Sequence, residues 1–364
     1  MKTDSTRAST ELSRMSSLQD GIYVYGVIKT SPPCREAGAP QEFGEIGIGN
    51  KALYQTVRGK ASKVLTIGFK GLAAVVSNSP WKIYTSLAKE ETIKDLVVHQ
   101  FVIEKVMKNF TVIPVKFGTM METEDELIKF LDKGYFLLRN QLRKLQDKIE
   151  LDLVATRQFP ECLAAIYRRR RSIKRKQEEI TIKREKASIE DKIALGKAVE
   201  QALISEKARS NKLILQTLKK LAQSFCLHDL LDDNMIFNAA FLIEKKDKES
   251  FDQAVSLLDQ KFENALRFRL VGPLPPYSFS TILFKKISQQ EVEKAKKTLG
   301  LNGEITDKTV NHAYRQLAQE CHPDKNAGQG QLGFDFINSA YKVLKDFVKR
   351  GFFNVDIYHW EEQR

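Results

Sequence analysis

Three consecutive residues near the C-terminal end of this 364-residue chain, His322, Pro323 and Asp324, sit between two stretches of helical patterning. Upstream, Val310, Ala313, Tyr314, Leu317 and Ala318 recur at the spacing of one helix face. Downstream, Phe336, Ile337, Ala340, Tyr341, Leu344 and Phe347 do the same. The intervening CHPDKNAGQGQLG is rich in Pro, Asn and Gly and reads as a loop. Two apolar stripes joined by a polar loop predict a helical hairpin with the triplet exposed at its turn. Pro323 stiffens that turn, and Asp324 offers a carboxylate matched to the planar fork of a partner's arginine. The chemistry on offer is recognition rather than bond-making.

These elements resemble a J-domain, the module that stimulates ATP hydrolysis by DnaK-type chaperones. The resemblance covers about residues 290–348. It takes TLGL (298–301) as the end of a first helix, TDKTVNHAYRQLAQE as the second, HPDKN as the loop and DFINSAYKVLKD as the third. The triplet by itself is a weak signal; with both helices at the right spacing it is specific. The resemblance implies His322, Pro323, Asp324 and Lys325 as partner-binding residues, with Tyr314, Arg315 and Leu317 supporting the docking helix. The partner it implies is a DnaK-type chaperone. Basic residues on the second helix are Lys308 and Arg315.

The rest of the composition narrows the function by exclusion. Hydrophobic residues make up 42% and charged residues 29%, a globular balance, and the length suffices for two or three cores. No apolar run reaches the ~18–20 residues that span a bilayer, and the N-terminal stretch lacks a secretory core. A cytoplasmic protein away from membranes is therefore expected. Cys34, Cys162, Cys226 and Cys321 form no CxxC pair, which reads as reduced structural thiols rather than zinc or disulfide chemistry. Only five histidines exist, and none falls with Ser, Cys or carboxylates at catalytic spacing. Asp232 and Asp233 adjoin His228, but DLLDDN reads as the cap or end of a helix. No enzyme, cofactor or metal is expected.

The net charge of +13 is concentrated: residues 165–220 hold 17 Lys and Arg against 7 Asp and Glu, densest at RRRRSIKRK (168–176). No aromatic residue lies between Tyr167 and Phe225, so a base-stacking platform is missing. Glu178, Glu179, Glu185, Glu190 and Asp191 interleave with the bases, as on a solvated helix with i,i+4 pairs. A solvated helix is the first reading, an acidic protein partner the second and nucleic acid the weakest.

Along the chain, residues 1–20 are Ser/Thr-rich and polar without pattern, and a disordered tail is expected there. IYVYGVI (22–28) is apolar on both faces, as in a strand covered on each side. FGEIGIGN (43–50) lacks the dinucleotide spacing and leads into a strand pattern at 52–57, so it reads as a connection. VLTIGF (64–69) and LAAVVS (72–77) predict strands joined by a glycine turn. A helix follows at about 87–109, with Leu96, Ile103, Met107 and Phe110 on one face. His99 shares that stripe and reads as a hydrogen-bonded core residue. TVIPVKFG (111–118) reads as a buried strand, and Leu127 to Leu145 as a second helix.

A second unit repeats the plan, with ELDLVAT (150–156) as a strand, a basic helical stretch at about 168–224 and MIFNAAFLI (235–243) as a strand. A helix carrying Phe251, Val255, Leu258 and Phe262 and the strand LRFRLVG (266–272) complete it. That order is close to a split βαβ, ferredoxin-like arrangement. GPLPPYSFS (272–280) must leave the sheet in extended form, as a rigid exit clamped by Tyr277 and Phe279 or as a docking surface.

The body resembles the gas vesicle protein F/L family. The resemblance rests on IYVYGVI, GEIGIGN, LAAVVS, the His99 helix, TVIPVKFGTM (111–120) and FRLVGPLPPYSFS (268–280), in order over about residues 21–285. Leu274 stands where the family usually has an aromatic. The resemblance implies a non-catalytic α+β accessory protein of gas vesicle assembly, with shell and accessory proteins as partners and a vesicle-associated location. The expected architecture is two ferredoxin-like α/β sandwich domains, 21–149 and 150–285. A small all-α J-like module follows at 286–351, then a tail at 352–364. A general J-domain co-chaperone or a basic nucleic-acid-binding protein are the competing readings; broad clients in a pull-down, or a steep salt slope on DNA, would mark them.

Overall fold

The computed structural model describes residues 20–30, 41–48, 62–84, 89–183, 188–320 and 330–358, the side chains of 320, 330–333 and 350 excepted. The backbone divides into two compact units. One comprises 1–102, 115–139 and 282–357; the other comprises 103–114, 140–281 and 358–364.

The first unit begins with β1 (Asp20–Lys29), β2 (Glu42–Gly47), β3 (Ser62–Phe69) and β4 (Leu72–Pro80), hydrogen-bonded in the order β2-β3-β4-β1 and antiparallel throughout. β1 is buried continuously from Tyr23 to Ile28, as a strand with apolar residues on both faces must be. Lys70 and Gly71 join β3 to β4 at φ 50° and 84°, a two-residue turn whose twist suits the flanking strands. The strand pattern at 52–57 and the polar stretch 1–19 lie outside the described residues.

Helix α1 (Glu90–Met107) follows, then β5 (Val112–Pro114), β6 (Met120–Met121) and α2 (Glu124–Leu145). The buried face of α1 is set by Val98, His99, Val102 and Val106, while Leu96, Met107 and Phe110 are only half-buried. Ile103, at 1% exposed, and His99 are buried as the sequence stripe predicts, so the stripe holds in part and the valines complete it. The strand expected over 111–118 is short: Pro114 has no N–H for a ladder, although the Val115 N–H still reaches the Tyr25 carbonyl at 2.9 Å. On α2 the leucine stripe is inward as expected, with Leu127, Leu131, Leu138, Leu142 and Leu145 all buried.

The second unit is a sheet of order β10-β7-β9-β8, antiparallel throughout, formed by β7 (Lys148–Arg157), β8 (Ser224–Leu227), β9 (Met235–Glu244) and β10 (Leu266–Leu274). Its core joins Leu151 and Leu153 of β7 to Phe237 and Phe241 of β9. Ile214, Leu218 and Phe251 come to it from helices. The basic stretch is three helices rather than one: α3 (Phe159–Arg169), α4 (Arg171–Lys183) and α5 (Ile189–Leu218). Arg170 breaks the first pair at φ −116°, ψ 83°, and Ser188 starts α5 by accepting the Asp191 N–H. Residue 224 belongs to β8, a strand of four residues too short to show alternation in the sequence. DLLDDN ends no helix. It links β8 to β9, and Asp232 Oδ1 accepts the N–H groups of Asn234 and Met235 at 2.8 Å each. Helix α6 (Lys248–Lys261) precedes β10.

GPLPPYSFS also departs from expectation. Gly272, at φ 141°, absorbs a bulge, and the ladder resumes with Leu274 opposite Glu150 beyond Pro273. A Cβ at Gly272 would lie 2.6 Å from Leu151 Cδ2 and 2.9 Å from the Glu150 carbonyl, so only glycine lets the strands close here. Residues 276–280 then turn, with the Ser280 N–H on the Pro276 carbonyl at 2.7 Å, instead of leaving extended.

The C-terminal part of the first unit holds β11 (Thr281–Lys286), α7 (Gln289–Thr298), α8 (Asp307–Glu320), α9 (Gly330–Arg350) and β12 (Phe353–Tyr358), with β11 and β12 paired as a two-stranded sheet. Ser288 and Glu291 form a capping box at the start of α7. The helices close over their own core of Val292, Ala295, Val310, Ile337 and Leu344. Among the described residues no helix is long and apolar enough to cross a membrane.

Candidate functional site

The helical hairpin read from the sequence is α8 packed on α9. Val310 and Ala313 face Ile337, Ala340 and Leu344. Two reciprocal polar contacts fix the register of the pair. The Tyr314 hydroxyl donates to Asn338 Oδ1 at 2.6 Å, and the Tyr341 hydroxyl donates to Asn311 Oδ1 at 2.8 Å. The two tyrosine rings stack at 4.1 Å between these bonds. Lys345 pairs with Asp307 and ties the far ends of the helices together.

This geometry sorts the residues expected on the docking helix. Tyr314 and Leu317 are half-buried in the contact with α9 and brace the helix from its inner side. Arg315 is exposed on the opposite side, with Lys308, His312 and Gln319. Their spacing of four, three and four residues places them on one face of α8. Sequence reasoning missed His312, although the same spacing marks it. His322, Pro323, Asp324 and Lys325 lie outside the described residues.

The hairpin is mounted at both of its ends. Phe284 on β11 packs edge-on against Phe130 of α2, ring centroids 5.5 Å apart, and stacks with Phe353 of β12 at 6.1 Å. Lys286 reaches Glu122 at 2.9 Å and Glu126 at 3.2 Å, and Glu126 also accepts the Glu122 N–H. Lys285 pairs with Asp346 of α9 at 2.5 Å. Gly134 of α2 leaves room for β12, because a Cβ there would lie 3.0 Å from Val355 Cγ1.

Two buried networks hold the motifs that carry the family resemblance. In the first unit the Gly118 N–H donates to the Tyr23 hydroxyl at 3.0 Å, and that hydroxyl lies 3.0 Å from His99 Nδ1. The other side of the His99 ring meets the backbone of Val115. Burial holds the imidazole neutral, its pKa pushed down to about 3, so it is a structural acceptor rather than a base at neutral pH. His99 thus anchors TVIPVKFG, as the reading of a hydrogen-bonded core histidine anticipates.

In the second unit Glu150, 1% exposed, accepts the Ser278 N–H at 2.9 Å and the Ser278 hydroxyl at 2.7 Å. His228 Nε2 lies 3.3 Å from that hydroxyl and 3.7 Å from Cys226 Sγ. Burial, and then the neighbouring Asp152, raise the Glu150 carboxyl above the usual acid range. Burial likewise pushes the Cys226 thiol up to about 11, which leaves it un-ionised and unreactive. Glu150 and Ser278 therefore hold GPLPPYSFS in place. No motif marked Glu150, since an acid in an alternating strand reads as solvent-facing.

An α/β body carrying a J-type helical hairpin on a strand clasp is the class of protein these features define. Sequence comparison is specific: the family described as gas vesicle synthesis protein GvpL/GvpF matches residues 21–281, and the chain belongs to that family. The DnaJ domain matches residues 297–354. Gas vesicle protein F of Nostoc sp. is 28% identical over 268 residues, covering 73% of this chain and all of that one. The crystal structure of gas vesicle protein GvpF from Anabaena sp. aligns with a TM-score of 0.54 at 25% identity. It covers 71% of this chain and 98% of that one. A chaperone protein DnaJ of Bartonella quintana is 46% identical over 54 residues, 14% of each chain, so that likeness is confined to the module.

Proposed function

We propose that the chain is a non-catalytic accessory factor of gas vesicle assembly. Its α/β body holds shell or other accessory proteins, and its C-terminal module recruits a DnaK-type chaperone through His322, Pro323, Asp324 and Lys325. Arg315 contributes to the docking face, braced from behind by Tyr314 and Leu317. The observation that carries this reading is the union, in one chain, of a gas vesicle family body and a latched hairpin whose basic face is open. Physical logic supports it: subunits of a gas-filled shell expose large apolar surfaces before assembly, and such surfaces aggregate unless held. The place of action is the cytoplasm, at the growing vesicle.

The working domain limits are 21–149, 150–285 and 286–351. A ferredoxin-like reading of both body domains is supported by strand order: β8-β9-β7 in one sheet and β3-β4-β1 in the other. The test is His322→Gln in the full chain, with the ATPase rate of a DnaK-type chaperone as readout. Wild type should accelerate hydrolysis and the variant should not, at equal melting temperature. Equal stimulation by both, or by neither, refutes recruitment. Vesicle formation by a chain lacking residues 286–364 then separates the role of the body from that of the module.

A further inference from the structure

A cavity of about 260 Å³ opens in the second unit, where α3, the middle of α5 and the α6–β10 turn meet. Ile166, Phe262 and Leu266 form an apolar floor, with Arg168, Arg169 and Lys261 at the rim. The volume lies below the ~300–1,000 Å³ of small-molecule sites and suits one large apolar side chain. The rim already shows what it takes: Arg168 holds Glu263 at 3.3 Å and Arg169 holds Glu206 at 3.0 Å. With both arginines at least half exposed, these pairs are weak and exchangeable. The cavity sits within the stretch of 17 Lys and Arg against 7 Asp and Glu, so an incoming carboxylate meets a field that attracts it.

We propose that this cavity docks an acidic amphipathic segment of another protein. One apolar side chain enters between Ile166, Phe262 and Leu266, and flanking carboxylates exchange into the forks of Arg168 and Arg169. Charge complementarity selects this occupant, and the arginine fork prefers a carboxylate it can engage through two parallel bonds. The site is independent of the C-terminal module and stands whether or not that module activates a chaperone.

The test is fluorescence anisotropy with the full chain and a labelled peptide alternating Asp, Glu and Leu. Filling the cavity with Ala165→Trp, and separately neutralising the rim with R168Q/R169Q, should each weaken binding by about tenfold or more. The double variant K174Q/K176Q on α4 should bind as wild type does, because these lysines are exposed and do not line the cavity. Melting temperatures identify any variant that fails to fold, and R168Q/R169Q keeps the test decisive if the tryptophan does not fit. The proposal is overturned if the peptide does not bind, or if the folded tryptophan variant binds at full strength. It is equally overturned if K174Q/K176Q weakens binding as much as the rim variant, or if a Lys–Leu peptide binds equally well.

Discussion

Acid should destabilise the first unit through His99, and the size of the effect follows from its burial. The ring is 2% exposed, and its folded-state pKa is held near 3 against an ordinary value of 6.5. The unfolded chain therefore takes up a proton below pH 6.5 that the folded unit refuses. Stability from this group is fully present above 6.5 and is lost progressively as pH falls toward 3. At about 1.4 kcal/mol per unit, lowering the pH from 7 to 5 removes about 2 kcal/mol. Glu150 works in the opposite sense: its carboxyl is raised, so its contribution is present at low pH and lost as pH rises. Comparing wild type with His99→Gln cancels Glu150 and every other titrating group. Urea unfolding followed by Trp81, which lies against Gly21 in the first unit, reads the relevant element in a Trp360→Phe background. The variant should start less stable at pH 7, yet lose about 2 kcal/mol less than wild type between pH 7 and 5. Parallel pH slopes for the two proteins would refute the account of a buried neutral histidine.

Two further substitutions probe the motifs and the mount. Glu150→Ala removes the acceptor of two Ser278 bonds and strands a buried N–H, at a cost of about 2–4 kcal/mol. Proteolysis at residues 275–280 should accelerate in step, and an unchanged cleavage rate would show that Glu150 does not hold this turn. Gly134→Val drives a side chain toward Leu138 and Val355, an overpacking cost of about 1–3 kcal/mol. Hydrogen exchange at β11 and β12 should rise while the amides of β8 to β10 stay protected; protection retained at β12 would mean that α2 does not seat the clasp.

How much was legible in the residues varied with the length of the pattern that carried each feature. The leucines of α2 and the double-sided apolar run of β1 declared themselves, because a long period constrains the face that is buried. The J-like module was legible for a different reason: two stripes flank a loop of fixed chemistry, and three signals agree. Four residues of β8 carry no period, so the strand vanished into the basic helix before it. Breaks between α3, α4 and α5 were hidden because the deciding residues, Arg170 and Ser188, differ from their neighbours in backbone angle or capping rather than in polarity. Glu150 was invisible for the same reason that it matters. Only the fold brings Ser278, 128 positions away, onto a carboxylate that alternation assigns to solvent. His312 was visible and overlooked, since a histidine among polar residues carries no apolar signal.

The clasp of β11 and β12 changes what the C-terminal module can do. A helical module on a glycine-rich tether samples a volume set by linker length and transmits no force until the tether is taut. Here the strands entering and leaving the module pair with each other, and Phe284 and Lys286 fix the pair to α2 through Phe130, Glu122 and Glu126. These contacts seat the clasp, and with it the base of the module, against α2. Glu126 is 6% exposed, and Lys286 reaches it at 3.2 Å. Swinging the module away would leave that buried carboxylate without a cation, a state costing about 3–5 kcal/mol for a buried pair, somewhat less with Lys286 partly in water. Load placed on the clasp passes through Phe284 and Lys286 into α2, whose Asp132 pairs with Lys70 of the β3–β4 turn at 3.0 Å.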